Sequence, residues 1–235
     1  ICMPWSMGKD SNVLIWLSKK AFCGHIPYPL LHIDTTYEFP EMLEYRDWAV
    51  AHHKLNLIVK INEDARAGRA AYAGRGPVGY DTADPVTVTH ELKTVALQQV
   101  MAEHGWDALI TGIRRDEDPT RAKERYFSPR TKDFEWDYKD QPPEFWDQFN
   151  ASPPTGAHLR IHPILHWTEA DIWAYTKREN IPIIPLYLSK DGKRYRSLGD
   201  QDITNPVAST ASSIDEILTE LDGTRVPGRS RFLPS

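Results

Sequence analysis

Ser6-Met7-Gly8-Lys9-Asp10-Ser11 is the stretch on which the reading of this chain turns. It follows a short apolar run, Ile1 to Trp5, and opens a segment whose Val13, Leu14, Leu17, Ala21 and Phe22 share one helical face. A strand, a glycine turn and a helix N-terminus make a ready anion site, because unpaired backbone N–H groups and the positive end of the helix dipole converge there. Gly8 lets the backbone approach a phosphate with no Cβ in the way. Ser6 and Ser11 add hydroxyl donors, and Lys9 adds a point charge. Ser and Asp here also serve as plain helix caps, and the six residues alone leave both readings open.

The segments that follow set this loop in a fold. Tyr28 to Thr35 reads as a buried strand delivering a polar tip, Asp34-Thr35. The spacing of Met42, Tyr45, Trp48 and Ala49 predicts a helix over Glu38 to His53, and Leu55 to Val59 is a third strand. Thr89 to His104 repeats apolar residues at helical spacing, with Gly105 where a C-terminal cap belongs. Asp107 to Gly112 is a fourth strand. Such alternation argues for an α/β fold, an open and mostly parallel sheet with helices on both faces. Ligands in such sheets bind beyond the carboxyl ends of strands, where strand order reverses. Ser6 to Ser11, Asp34-Thr35 and Gly112 to Arg115 are therefore expected to meet. Between Asn62 and Pro85 glycines and Pro77 replace periodicity, and a long loop is expected.

The second half is polar and aromatic through Asn150. A strand is expected over Leu159 to Ile164, a helix over Thr168 to Asn180 with Thr168 as its N-cap, and a short amphipathic helix over Ser212 to Leu221.

Composition narrows the function. Among 235 residues, 40% hydrophobic and 26% charged residues describe a globular chain, and a net charge of −5 argues against generic nucleic-acid binding through a basic surface. Two cysteines exclude a metal cluster built from cysteines alone and disfavour a disulfide-stapled secreted fold. No apolar run is long enough to span a bilayer, and the cytoplasm is the expected location. The sequence starts at Ile1 rather than Met, so a preceding segment and any targeting signal in it are left open.

Arg114-Arg115-Asp116-Glu117 follows the fourth strand directly. Two guanidiniums there can grip an oxyanion and offset charge that builds up in adenylyl or phosphoryl transfer, or they can simply pair with the neighbouring acids. Arg121, Lys123 and Arg125 add cations, and Lys93 lies on the helix before that strand. Asp10 and Asp34, both at strand ends, are candidate Mg²⁺ ligands beside nucleotide phosphates, or else a helix cap and a turn. His158, His162 and His166 alternate with apolar residues and read as structural histidines.

The loop is not a Walker A motif, since Lys9 precedes Asp10 rather than Ser or Thr. It resembles the PP-loop of ATP pyrophosphatases, with Lys9 where many members have a second glycine. Together with Pro29 to Thr35, Arg114 to Glu117, Arg121-Ala122-Lys123-Glu124-Arg125 and Arg194 to Gly199, it is similar to the sulfate-activation branch of the PAPS reductase family, typified by the small subunit of bacterial sulfate adenylyltransferase. The resemblance implies an adenine-nucleotide α-hydrolase-like fold over residues 1–188 and an irregular C-terminal extension over residues 189–235, packed on or near the active site. It implies ATP with Mg²⁺, held by Ser6, Gly8, Lys9, Asp10, Ser11, Asp34, Thr35, Lys93, Gly112, Arg121, Lys123 and Arg125. Lys9, Arg114 and Arg115 would be catalytic, and sulfate would be the acceptor. A GTPase large subunit would be the protein partner. An alternative is activation of a nucleic-acid phosphate or base for sulfur insertion, with a sulfur-transfer protein as partner; a non-catalytic nucleotide-binding subunit is a second. Self-association into a homo-oligomer stays open. Two features depart from the family pattern: only Ser189 to Lys193 fill a region that usually carries an insertion, and Asp200 stands where a cysteine is common. The reductase branch fits less well, because no thiol follows Cys23.

Overall fold

The computed structural model describes residues 1–63, 89–139, 141, 143–146, 148–152 and 155–223. The expected loop over Asn62 to Pro85 lies, from residue 64 on, outside the described residues.

The core is a parallel sheet that reverses its strand order. Strand β1 (Met3–Pro4) runs into helix α1 (Lys9–Ala21), then β2 (Leu30–Ile33), α2 (Pro40–His53) and β3 (Leu57–Lys60), and β1, β2 and β3 lie side by side in parallel. The chain then returns through a helix that begins with a wide π turn (His90–Val95) and continues as α3 (Ala96–His104), reaching β4 (Ala108–Ile110). Strand β4 lies on the other side of β1: Cys2 N–H donates to the Ala108 carbonyl at 3.1 Å, and Ile110 N–H to the Cys2 carbonyl at 2.9 Å. Beyond β4 stand β6 (His158–Ile161), parallel to it, and β5 (Phe127–Arg130), antiparallel at the edge. The spatial order is thus β3-β2-β1-β4-β6-β5. The reversal falls between β1 and β4, where a parallel sheet opens its ligand crevice.

Helix positions follow the apolar pattern, with local exceptions. In α1 the buried side is Val13, Leu14 and Ile15 together with Asn12 and Ser18, whereas Phe22 is 47% exposed just past the helix. In α2, Met42, Tyr45 and Ala49 are buried and Trp48 stays half out, stacked on His52. Gly105 caps α3 in the left-handed conformation the sequence anticipates. Thr168 opens α4 (Glu169–Arg178) with a reciprocal capping box to Asp171. The chain ends in a small hairpin, β7 (Lys193–Arg194) with β8 (Val207–Ala208), and helix α5 (Ile214–Gly223). Buried Ile217 joins α5 to the same apolar core as α1 and α4, and Arg194 of β7 pairs with Glu220 of α5 at 3.0 Å. No described helix is long and apolar enough to cross a membrane.

The histidines at the sheet are packed and neutral. Burial pulls His162 down to about 4, with Arg130 and Arg160 adding to it while Glu124 and the Arg125 carbonyl oppose it. His158 is lowered to about 4 by burial and by Arg160 and Arg130, and His32 to about 4 mainly by burial. Because these folded values lie below the ordinary 6.5, the unfolded chain binds more protons between pH 4 and 6.5. Their stabilisation is complete above about pH 6.5 and is lost as pH falls, roughly 1 kcal/mol or more per histidine by pH 5. The melting temperature should therefore drop by about 10 °C between pH 7 and pH 5, and His162→Gln should flatten part of that slope. A profile flat over that range would contradict neutral burial.

Candidate active site

The loop anticipated from the sequence sits at the reversal point. Gly8 is the N-cap of α1, and no side chain caps the first turn. Among the described residues, the Lys9 amide donates to the Tyr187 hydroxyl at 2.9 Å and the Asn12 amide to the Gly8 carbonyl, while no acceptor meets the Asp10 and Ser11 amides. Met7 takes a left-handed φ of 57°, an uncommon conformation for a residue with a side chain. Asn12 holds this shape: its Oδ1 accepts from Trp5 Nε1 at 2.8 Å and its Nδ2 donates to the Met7 carbonyl at 3.0 Å. Ser6 is exposed, and its Oγ lies 3.3 Å from that of Ser11. Gly112 leaves β4 so close to the loop that a Cβ there would stand 3.2 Å from Asp10 and 3.3 Å from the Ser11 nitrogen. That close approach is what requires glycine.

A cavity of about 450 Å³ opens over this point. The whole loop from Ser6 to Ser11 lines it, with the end of β2, Lys93 on the wide turn, Gly112, Glu117, Arg160, Tyr187 and the stretch from Ser197 to Asp200. Polar and charged side chains make up much of this lining, beside apolar ones such as Trp5, Leu31, Ile33 and Met42, as suits a charged ligand. Lys9 is 6% exposed; its Nζ donates to the Arg196 carbonyl at 3.0 Å and lies 3.5 Å from Asp10. Lys93 pairs with Asp200 at 3.2 Å, and buried Thr35 donates to the same Asp200 carboxylate at 2.8 Å.

The two consecutive arginines part ways. Arg114 is 3% exposed and meets Asp10 through Nε at 2.6 Å, Asp116 through Nη1, and Glu117 at 3.9 Å. Burial works against its charge, but the three carboxylates hold it above the ordinary guanidinium value. Arg115 turns away, and neither arginine lines the cavity: the Arg115 Nε and Nη2 donate to the Glu124 carbonyl, at 3.3 and 2.9 Å, under the Tyr126 ring. The expected two-arginine grip is not formed, because neighbouring side chains leave an extended segment on opposite sides.

The next cations also differ from expectation. Arg121 pairs with Glu117 at 2.7 Å, Lys123 lies 4.2 Å over the Tyr138 ring, and Arg125 offers its carbonyl to His162. None of the three lines the cavity: Arg121 and Lys123 find partners nearby along the chain, and the Arg125 Nε is buried without a hydrogen-bond partner.

Asp10 and Asp34 do not face one another as a metal pair. Asp34 accepts from the Thr36 amide at 2.8 Å and lies 3.5 Å from Arg46, while Asp10 is engaged by Arg114. Among the described residues one group of three candidate ligands gathers within 4.8 Å, His32, Asp34 and Glu38. Arg46 beside Asp34 supplies a positive charge where a divalent ion would need to sit. The Asx turn at Asp34 was one of the two roles its position at a strand end allows.

Asn12, Tyr187 and Asp200 were missed by reasoning from the sequence. Asn12 carried a signal, a polar residue on the buried side of an amphipathic helix. Tyr187 comes from far along the chain and carried none, and Asp200 was marked only as the departure from the cysteine common in the family.

The family model of the phosphoadenosine phosphosulfate reductase domain matches residues 1–206. The chain belongs to this family. Within it, the chain is 40% identical to a sulfate adenylyltransferase subunit 2 of Bacteroides thetaiotaomicron, over 93% of this chain and 80% of the relative. It is 39% identical to the protein of the same name from Rhodopseudomonas palustris (strain BisB18), over 95% and 75%. Among solved structures it resembles a phosphoadenylyl-sulfate reductase of Candida auris in its phosphate complex, with TM-score 0.60 and 18% identity over 86% of this chain and 82% of that one. An FMN adenylyltransferase of Candida glabrata follows at TM-score 0.54 and 20% identity, covering 87% and 56%. At such identities the likeness to these two is one of fold. The PAPS reductase family and an α/β sheet with helices around it are what the sequence motifs implied.

Proposed function

We propose that this chain is an ATP-dependent adenylyltransferase that transfers the adenylyl group of ATP to sulfate and releases pyrophosphate. The observation that carries the reading is the uncapped first turn of α1, with its Asp10 and Ser11 amides unmet, opening into the cavity at the strand-order reversal. The names of the relatives supply the substrate class and suggest a large-subunit partner, in line with the GTPase subunit implied by the motifs. The cytoplasm remains the expected location on the same family grounds.

In this reading the loop amides, Ser6, Ser11 and Lys9 bind the β,γ-phosphates. Asp10, locked to Arg114, fixes the loop rather than touching the nucleotide. Lys93 and Asp200 line the same cavity, with buried Thr35 holding the Asp200 carboxylate, so residues beyond 189 close the site. An acceptor oxygen attacks the α-phosphorus, the bond to the bridging oxygen breaks, and pyrophosphate departs with that electron pair. Positioning and fixed charge suffice for such a step, with no covalent nucleophile. Magnesium would bind with the nucleotide as phosphate counter-ion, but Asp10 and Asp34 each face a cation and do not fit as its paired ligands. The sulfur-insertion alternative would take its sulfur from a partner protein, since neither thiol of this chain lines the cavity: Cys2 is buried with its thiol pushed up to about 12, and Cys23 is exposed past α1.

Pyrophosphate release from ATP, measured with and without sulfate and with the large subunit present, tests the reading. A sulfate-dependent signal is expected. Release indifferent to sulfate would reassign the acceptor, and none under any condition would leave a nucleotide-binding subunit.

A further inference from the structure

Three cations line the cavity, and two are already spoken for. Lys9 is engaged by the Arg196 carbonyl and Asp10, and Lys93 by Asp200. The third, Arg160, stands on β6 in register with Leu109 of β4 and Ser128 of β5, one strand away from the loop's own crevice. Its Nε is buried without a hydrogen-bond partner, and it forms no ion pair among the described residues. The surroundings make the deficit sharper. Arg130 takes Glu124 at 2.5 Å and Arg121 takes Glu117 at 2.7 Å, so the nearby carboxylates are engaged by other guanidiniums. Burial first, then Arg130 and Arg121, hold Arg160 down to about 10, with Glu124 opposing. A half-buried guanidinium whose Nε is sealed from water without a partner is under-satisfied, and an anion from solution supplies the missing acceptor and counter-charge.

We propose that Arg160 is the contact for the acceptor oxyanion, binding a tetrahedral dianion of the sulfate class in the cavity beside the loop. A planar fork of N–H donors matches two oxygens of such an ion. Gly112 and Glu117 line the same cavity as Arg160 and the loop, and Gly112 packs directly against Asp10 and Ser11. The assignment rests on the adenylyl-transfer reading for its use of the anion, and it moves acceptor recognition from the Arg114–Arg115 pair to β6. With Arg160 holding two oxygens, a third is free to attack the α-phosphorus. The dianion needs no base, because no proton leaves it.

The test uses the full chain with a non-hydrolysable ATP analogue, sulfate as probe, and chloride at equal ionic strength as control. Arg160→Gln should raise the sulfate Kd by about tenfold or more while leaving analogue affinity within about twofold. Arg160→Lys, which keeps the charge and loses the fork, should fall between, at about three- to fivefold. It carries the test should Arg160→Gln fail to fold. Unchanged sulfate affinity in either variant, or no sulfate binding to the parent, overturns the assignment. So does a loss of analogue affinity in place of sulfate affinity, which would put nucleotide on Arg160. Pyrophosphate release from the same samples separates the two claims. A parent that binds sulfate through Arg160 yet releases none keeps the site and loses the reaction, whereas sulfate-dependent release that Arg160→Gln leaves intact, KM included, loses only the site.

Discussion

Lys9→Ala is expected to lower sulfate-dependent pyrophosphate release by about 10²–10³-fold, the range seen when one donor aimed at developing charge is removed. The expectation follows from where the ammonium is held. Lys9 is the first residue of α1, almost wholly buried at the mouth of the first turn, and it is anchored by a carbonyl at 3.0 Å and a carboxylate at 3.5 Å. Both anchors are weak competitors for an ammonium once a triphosphate enters beside it. Its loss should cost only about 1–2 kcal/mol of stability, because one hydrogen bond to a charged donor disappears and the backbone of the turn is kept by Asn12 and Tyr187. Turnover and urea melts on the same preparation check both halves. An active Lys9→Ala would remove the side chain from the mechanism, and an unfolded one would make Lys9 structural.

The fold could be read from the sequence wherever apolar runs end abruptly at polar tips. Leu30 to Ile33 and Ala108 to Ile110 are short, buried and followed by Asp34 and Gly112, so the crevice was predictable from residues that share no local contact. Strand β5 was not, because Phe-Ser-Pro-Arg carries no apolar alternation; it survives as an edge strand, where proline's missing N–H costs no ladder bond. The same distinction applies to the site. A turn rich in Gly, Ser and Lys announces its chemistry locally, since the backbone itself is the ligand. Arg114 and Arg115 look alike in sequence, and only Asp10, more than a hundred residues earlier, shows which one is tied to the loop. Arg160 was not singled out from the sequence, and its role emerges only once the neighbouring carboxylates are seen to be taken.

Arg114→Ala should be the most destabilising single change in the site, at about 2–3 kcal/mol, because a buried guanidinium gives up its charge-assisted hydrogen bonds to partly exposed carboxylates. The guanidinium joins Asp10 on α1 to Asp116, whose second oxygen accepts the Glu169 amide at 2.9 Å at the start of α4, so one side chain ties the loop to a distant helix. Removing it unbalances Asp10, Asp116 and Glu117 together, and the bared Asp10 then repels the triphosphate the loop is shaped to hold. ATP affinity should fall along with stability. Adding Asp10→Asn should restore part of both, since the amide keeps the shape of the carboxylate and drops its charge; a coupling of about 1–2 kcal/mol is expected between the two sites. Arg114→Lys should recover little, as a single ammonium cannot serve Asp10 and Asp116 at once. Denaturant melts and nucleotide titrations on the two singles and the double complete the cycle. Strictly additive losses would mean that Arg114 supports the fold without holding the loop, and lost turnover at undiminished ATP affinity would instead place its charge on the reacting phosphate.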